Sequence, residues 1–409
     1  MKQILPENLI MFCDDHWNNL LPLTYTRPVC ELRTGILTIR EKWEIECKGN
    51  GSHITQDFLS EKFTLQIKED NLLINSTFLP DKELIRYVYQ LQNNEALVWG
   101  DELIVARISG ALLSDSDISR SFSQLKKIDL SLGADVHLNR ITRPYHIFTL
   151  NGAEIIEDYN RLTSGRSSAS LSPTNRIIGD YPVFAEKGAV AECAIFNTTK
   201  GPVYLGENSV VMEGAVVRGP FALCEGAMVK IGAKIYEDTT IGPFSKAGGE
   251  INNAVMMANS NKSHDGYLGN SVIGEWCNLG ADTNSSNLKN NYLPVKIWSY
   301  VKESFEDTGL QFCGLIMGDH SKTGINTMLN TGTVVGVAAN IFGDGFPRNF
   351  VPSFSWGGAS GFITHQLSKA LETATIVMKR RGVVLKEADQ KIFEYIFNHS
   401  ATYRLWEKK

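Results

Sequence analysis

The chain has 409 residues, enough for two or three domains with well-buried cores. Its balance is mildly acidic, 40 Lys and Arg against 45 Asp and Glu, which points away from nucleic acid and away from a membrane surface. The seven cysteines are odd in number, scattered and never in a CxxC pair, as expected of reduced thiols in a cytoplasmic protein. The opening residues lack the long apolar run of a signal peptide, and no apolar stretch approaches bilayer length.

Along the first 162 residues, short apolar runs alternate with helical patterns. Asn8 to Cys13 reads as a buried strand, followed by the polar run Asp14-Asp15-His16-Trp17-Asn18-Asn19. Residues 34–43 alternate as an amphipathic helix, and residues 72–74 and 96–99 read as short strands. This order predicts an α/β layer domain of Rossmann type over residues 1–162, with a largely parallel sheet. The composition then turns to Ser, Thr, Gly and Pro, which predicts a linker over residues 163–177.

From residue 178 to 346 the period is six. Leu205, Val211, Val217, Leu223, Val229, Ile235, Ile241 and Ala247 recur at that spacing, and the residue four places later is usually small. The phase returns at Ile273 and Leu279, and again from Met317 through Thr323, Leu329 and Val335 to Ile341. Six fits neither helix nor two-sided strand; it predicts short strands coiled around a triangular prism, a parallel β-helix. The phase breaks twice, at 256–267 and 284–314, and both breaks are expected to leave as loops that build a binding surface. Residues 347–409 are expected to form an extended aromatic arm and two helices, roughly 365–381 and 386–398. The tail from Gln366 is locally basic, with nine Lys or Arg against five Asp or Glu.

The run Asn261-Lys-Ser-His-Asp-Gly-Tyr-Leu-Gly-Asn-Ser-Val-Ile-Gly-Glu-Trp-Cys-Asn-Leu-Gly-Ala-Asp-Thr-Asn284 resembles the acetyltransferase signature of the bifunctional GlmU type. Asn287-Leu-Lys289, Val295-Lys296 and the run Cys313 to Asn326 are similar to its archaeal and Bacteroidetes-type branches. Asp265-Gly266 and Asp282 depart from the usual pattern. The resemblance implies a left-handed β-helix that packs as a homotrimer and acetylates an amino-sugar 1-phosphate from acetyl-CoA. It implies His264 as the base, because the protonated amine must lose a proton before it can attack. Tyr267 and Asn278 would position the sugar, Asn287 would hold the amine or the oxyanion, and Lys296 would meet the phosphate. His320 stands either as a turn residue or as support for the same site. Lys322 and the cluster Lys379-Arg380-Arg381 stand either as contacts to coenzyme A phosphates or as solvated charges.

Leu21-Pro-Leu-Thr-Tyr-Thr-Arg-Pro28 resembles the opening of sugar nucleotidyltransferases, and the segment from Pro22 to Trp43 resembles a divergent GlmU-like branch. The family's phosphate-cradling glycines have no counterpart among Asp14 to Asn18. The resemblance implies nucleoside triphosphate (UTP) and Mg²⁺ as substrate and cofactor. Arg27, Arg33 and Arg40 are candidates for the nucleotide; Asp14, Asp15 and Asp101 are candidates for the metal, each equally readable as a turn residue. Three alternatives stand beside the bifunctional enzyme. They are a nucleotide-sugar-binding or inactive first half, a non-catalytic trimeric scaffold, and a metal-dependent hydratase on the same prism, which would need three convergent histidines.

Overall fold

A computed structural model describes Pro6 and residues 8–113, 122–132 and 138–408. Its contacts form two compact units: residues 1–17, 27–32 and 37–142 in one, and residues 18–26, 33–36 and 143–409 in the other. The units therefore part near residue 142 rather than at the Ser-rich stretch, and two short pieces of early sequence belong with the second unit.

The first unit is built on a six-stranded sheet: β1 (Asn8–Phe12), β2 (Asn50–His53), β3 (Asp70–Asn75), β4 (Glu95–Trp99), β5 (Glu102–Ser109) and β6 (Lys126–Asp129). The spatial order is β2-β1-β3-β5-β4-β6. β1 is parallel to β2 and β3, and β4 to β6, while β5 runs against β3 and β4. The sheet is thus mixed rather than largely parallel. β1 is buried along its whole length, as an unbroken apolar run requires. The helix expected over 34–43 lies at Ile39–Cys47, because Thr38 caps it. Its hydroxyl accepts from Glu41 N at 3.2 Å while Glu41 accepts from Thr38 N at 2.7 Å.

The second unit is a parallel β-solenoid of about ten turns. Its first face carries Arg176–Ile178, Ile195–Asn197, Val216–Arg218 and Lys234–Ile235, paired in register. The second face carries Val183–Ala185, Val203–Leu205, Phe221–Leu223 and Thr239–Ile241. The third carries Val190–Ala191, Val210–Val211, Met228–Val229, Lys246–Ala247 and Asn261–Lys262. The six-residue positions fill the interior: Leu205, Val211, Val217, Leu223, Val229, Ile235, Ile241 and Ala247 are all at most 1% exposed and share one core. Apolar burial along this column is the main stabilising term.

Of the two expected interruptions only one leaves the ladder. Residues 256–267 stay within it: Asn261–Lys262 pairs beneath Lys246–Ala247 on the third face. The phase breaks there because Glu250–Met256 and Tyr267–Ile273 each run through two faces without a full corner, which shortens the spacing between interior positions. The second interruption does depart, as an antiparallel hairpin of Lys296–Ser299 with Ser304–Asp307. The ladder resumes at Ile316–Met317. The aromatic stretch expected as an arm also continues the ladder, with Phe350–Val351 on Val334–Val335 and Ser355–Gly358 beside Asn340–Ile341. Helices Leu367–Lys379 and Glu387–His399 follow.

The early pieces in this unit are held by polar contacts. Gly35, with φ +76°, sits so close to the helix Asn151–Thr163 that a Cβ would lie 2.7 Å from Glu154 O. Its N–H donates to Asn151 Oδ1 at 2.7 Å, and Thr240 Oγ1 donates to its carbonyl at 2.9 Å. Among the described residues no helix is long and apolar enough to cross a membrane, and all seven cysteines are free thiols.

Leu223 is fully buried in the solenoid column. Leu223→Ala is expected to cost about 2–5 kcal/mol of unfolding free energy, measured by urea denaturation.

Candidate functional site

The corner joining the third face to the first carries His264, and its anchor is the residue two places earlier. Lys262 occupies an interior position directly beneath Ala247 and is 1% exposed. Its ammonium donates to the carbonyls of Gly248 at 3.2 Å, His264 at 2.8 Å and Asp265 at 3.1 Å. Three donors meet three acceptors, which is what a buried ammonium requires. Burial nevertheless pushes its pKa down to about 8, against opposing pulls from Asp265 and Asp282. The clamp draws the backbone of the turn inward, while the His264 side chain stays exposed. Gly266 completes the corner with φ +111°, and a Cβ there would lie 2.3 Å from Thr283 O. The departure Asp265-Gly266 thus has a steric reason.

Tyr267 follows on the first face, its N–H donating to Asn284 Oδ1 at 2.8 Å. Asn287 Nδ2 donates to the Tyr267 hydroxyl at 3.0 Å and to Asn270 Oδ1 at 2.7 Å. Burial raises the phenol pKa, with hydrogen bonds from Asn252 and Asn287 opposing. Tyr267 and Asn287 are therefore brought together, with Asn252 and Asn270 as partners that the sequence motif did not single out. Asn278 lies exposed on the third face, bridged to Asn261 on one side and Lys322 on the other. Lys296 is on the hairpin, exposed, and lines a separate cavity.

His320 is buried, with φ +59°, and packs between Trp276 (6.1 Å, nearly parallel) and Phe393 (5.0 Å, edge-on). That is the packing of a turn residue. Lys322 donates to His320 O at 2.9 Å, and burial lowers its pKa. In the basic cluster, Lys379 and Arg380 are exposed, while Arg381 donates to Phe244 O and, at 3.1 Å, to Asn261 Oδ1. Burial, then Arg381, Lys230 and Arg380, lower the pKa of Lys246, so this side of the solenoid is locally cationic.

In the first unit the sheet order reverses at β1, with β2 on one side and β3 on the other. The edge beyond the carboxyl ends of these strands is where open α/β sheets bind ligands. Asp14 stands there. One oxygen accepts from His16 N and from His16 Nδ1 at 2.7 Å, the other from Asn75 Nδ2 at 2.9 Å. Burial alone would raise its pKa, but these hydrogen bonds outweigh it and hold the carboxylate below its usual range. Asp15 is exposed, and Asp101 is exposed in the turn between β4 and β5. Arg27 is buried in the first unit, whereas Arg33 is buried in the second and donates to Ile36 O. Arg40 is occupied by Glu31 at 2.6 Å and Glu44 at 2.6 Å.

Among the described residues, Cys30, Glu31 and His53 form the one group of three side chains close enough to share a metal ion. Burial works against the Glu31 carboxylate, yet hydrogen bonds from His53 and Arg40 bring its pKa to about 2. The guanidinium already compensates that charge, so the group is an ion-pair cluster rather than a cation site.

A mixed α/β sheet with a ligand-type edge at β1 is followed by a hexapeptide β-helix, a two-part architecture. Residues 9–167 match the family model for sugar nucleotidyl transferase. The chain is 29% identical over 160 residues to the bifunctional protein GlmU of Methanococcus aeolicus, across 39% of this chain and 32% of that protein. It is 30% identical over 145 residues to a bifunctional sugar-1-phosphate nucleotidylyltransferase/acetyltransferase of Sulfurisphaera tokodaii, across 35% of this chain and 36% of that one. These matches span about a third of the relatives' length. Among solved structures, the UDP-N-acetylglucosamine acyltransferase of Francisella novicida aligns over 58% of this chain and 79% of its own, at 13% identity and a TM-score of 0.31.

Gly266→Ala is expected to destabilise the protein by at least about 1–3 kcal/mol through backbone strain, read by thermal and urea unfolding. For Lys262 the unfolded chain binds its proton more tightly than the folded one. Stability contributed through this group therefore rises with pH from about 8 towards the ordinary lysine value. Unfolding measured from pH 7 to 10.5 should show wild type gaining on Lys262→Met across that window.

Proposed function

We propose that this chain is a bifunctional enzyme of nucleotide-sugar synthesis. The solenoid transfers an acetyl group from acetyl-CoA to the amine of an amino-sugar 1-phosphate, glucosamine-1-phosphate being the substrate of choice. The first unit transfers a nucleotidyl group from UTP to the N-acetylated sugar 1-phosphate. The observation that carries this reading is the exposed imidazole of His264 on a turn clamped from inside by Lys262, three residues before the Tyr267–Asn287 pair.

His264 takes a proton from the sugar ammonium, and the freed amine attacks the thioester carbonyl. The tetrahedral intermediate sheds its second nitrogen proton to solvent and collapses with loss of the thiolate of coenzyme A, which recovers the first proton from the imidazolium. Tyr267 and Asn287, fixed by mutual hydrogen bonding, orient the sugar so that proximity lowers the barrier. Homotrimeric packing would set such corners beside neighbouring solenoids, with the cationic side of Lys246, Arg380 and Arg381 available to phosphates of coenzyme A.

In the first unit Asp14 is the residue that fits Mg²⁺. It is an ionised carboxylate at the switch point of the sheet, and its Oδ2 retains a lone pair beyond the bond it accepts from Asn75. When bound, the ion would neutralise phosphate charge during in-line displacement. Asn75 and His16 fix the orientation of that carboxylate. A cytoplasmic setting, with its supply of acetyl-CoA and UTP, suits both reactions.

The test supplies glucosamine-1-phosphate with acetyl-CoA, and separately N-acetylglucosamine-1-phosphate with UTP and Mg²⁺. The wild type should form both products. His264→Ala should lose acetyl transfer by about 100-fold or more in kcat. It should keep its melting temperature and the nucleotidyl reaction. Undiminished acetyl transfer by the variant at saturating substrate would refute the assignment.

A further inference from the structure

A cavity of about 1170 Å³ opens between the hairpin, the last coils of the solenoid and the C-terminal residues. One wall is Trp298, stacked on Phe350 at 4.3 Å and 8°, with Phe305 edge-on at 5.5 Å. Phe362 and Trp406, 5.8 Å apart, add a second aromatic pair. Lys296, Arg348 and Lys408 also line it; each is exposed, and no carboxylate among the described residues pairs with any of them. The one acidic residue lining it is Glu303, which is turned to the Tyr403 hydroxyl.

This cavity is not the His264 corner. Thr331 and Asn349, which line it, lie between the first and second faces, whereas His264 lies between the third and first. Flat aromatic walls select a planar ring, and three cations without partners select more than one negative charge. A bare phosphate lacks the ring and a neutral sugar lacks the charge. We propose that this cavity is a nucleoside-diphosphate site. The base enters among Trp298, Phe350, Phe362 and Trp406, and the diphosphate is held by Lys296, Arg348 and Lys408. Two molecules of the reading above carry that chemistry, the sugar-nucleotide product and coenzyme A. The inference rests on that reading only for the choice between these sources.

Isothermal titration calorimetry of the full chain with UDP, UDP-N-acetylglucosamine, coenzyme A, uridine and pyrophosphate tests it. At least one of the first three should bind, and uridine and pyrophosphate should each bind at least about tenfold more weakly. Arg348→Ala and Trp406→Ala, checked for an unchanged melting temperature, should each weaken that binding by about tenfold or more. Tighter UDP or UDP-sugar assigns the site to the nucleotide sugar; tighter coenzyme A assigns it to the acyl donor. Binding should persist in His264→Ala, which separates this site from the fate of the catalytic proposal. Pyrophosphate matching the best nucleotide, binding indifferent to both substitutions, or no nucleotide binding at all overturns it.

Discussion

Each coil of the solenoid hydrogen-bonds to the coil above it in parallel register, so one residue per face must point into a column of fixed width. That constraint explains the six-residue period and the buried column from Leu205 to Ala247. It also explains why anything larger than a corner must leave the ladder sideways. The hairpin at Lys296–Asp307 obeys it: the chain exits after Asn284–Ser285 and returns at Ile316–Met317 with the stacking intact.

The candidate acetyl-transfer corner is made by a local violation of the same rule. Ala247 is small, and the interior place beneath it holds an ammonium rather than a methyl-bearing chain. Carbonyls of Gly248, His264 and Asp265 turn toward that charge, so the polar cost inside the column is offset by the same contacts that shape the turn. Position and chemistry are coupled there. The side chain that protrudes is fixed by one that does not.

Much of the second unit could be read from residue spacing. The interior positions, the emergence of a loop near 284–314 and both terminal helices follow from periodicity alone. The stretch 256–267 misled because Glu250–Met256 and Tyr267–Ile273 turn two faces without a full corner, and an altered spacing looks like an insertion. The aromatic and proline-rich run after residue 346 hid a last coil for a related reason: its interior place is Val351, but Pro352 and Trp356 mask the pattern. In the first unit, Asp14 was legible as a carboxylate after a strand. Its partner Asn75 was not, because β3 reaches it only through tertiary pairing. Arg33 and Arg40 looked available for phosphate; only coordinates show one turned onto Ile36 O and the other spent on Glu31 and Glu44. The cavity of Trp298, Phe350 and Trp406 gathers residues more than a hundred positions apart at its extremes, which no local pattern announces.

The opening coil has a different exposure from the rest. Arg176–Ile178 pairs with Ile195–Asn197 on one side only, and Ile177 and Ile178 are 54% and 41% exposed. Such a rim is a template on which a foreign β-strand could grow. The Ser-rich stretch before it meets the neighbouring edge instead: Ala169 N–H bonds to Ala185 O on the second face, and Leu171 lies against the column. A segment whose composition suggests mere tether thereby gives the first turn of the column a backbone partner and an apolar contact at its open end.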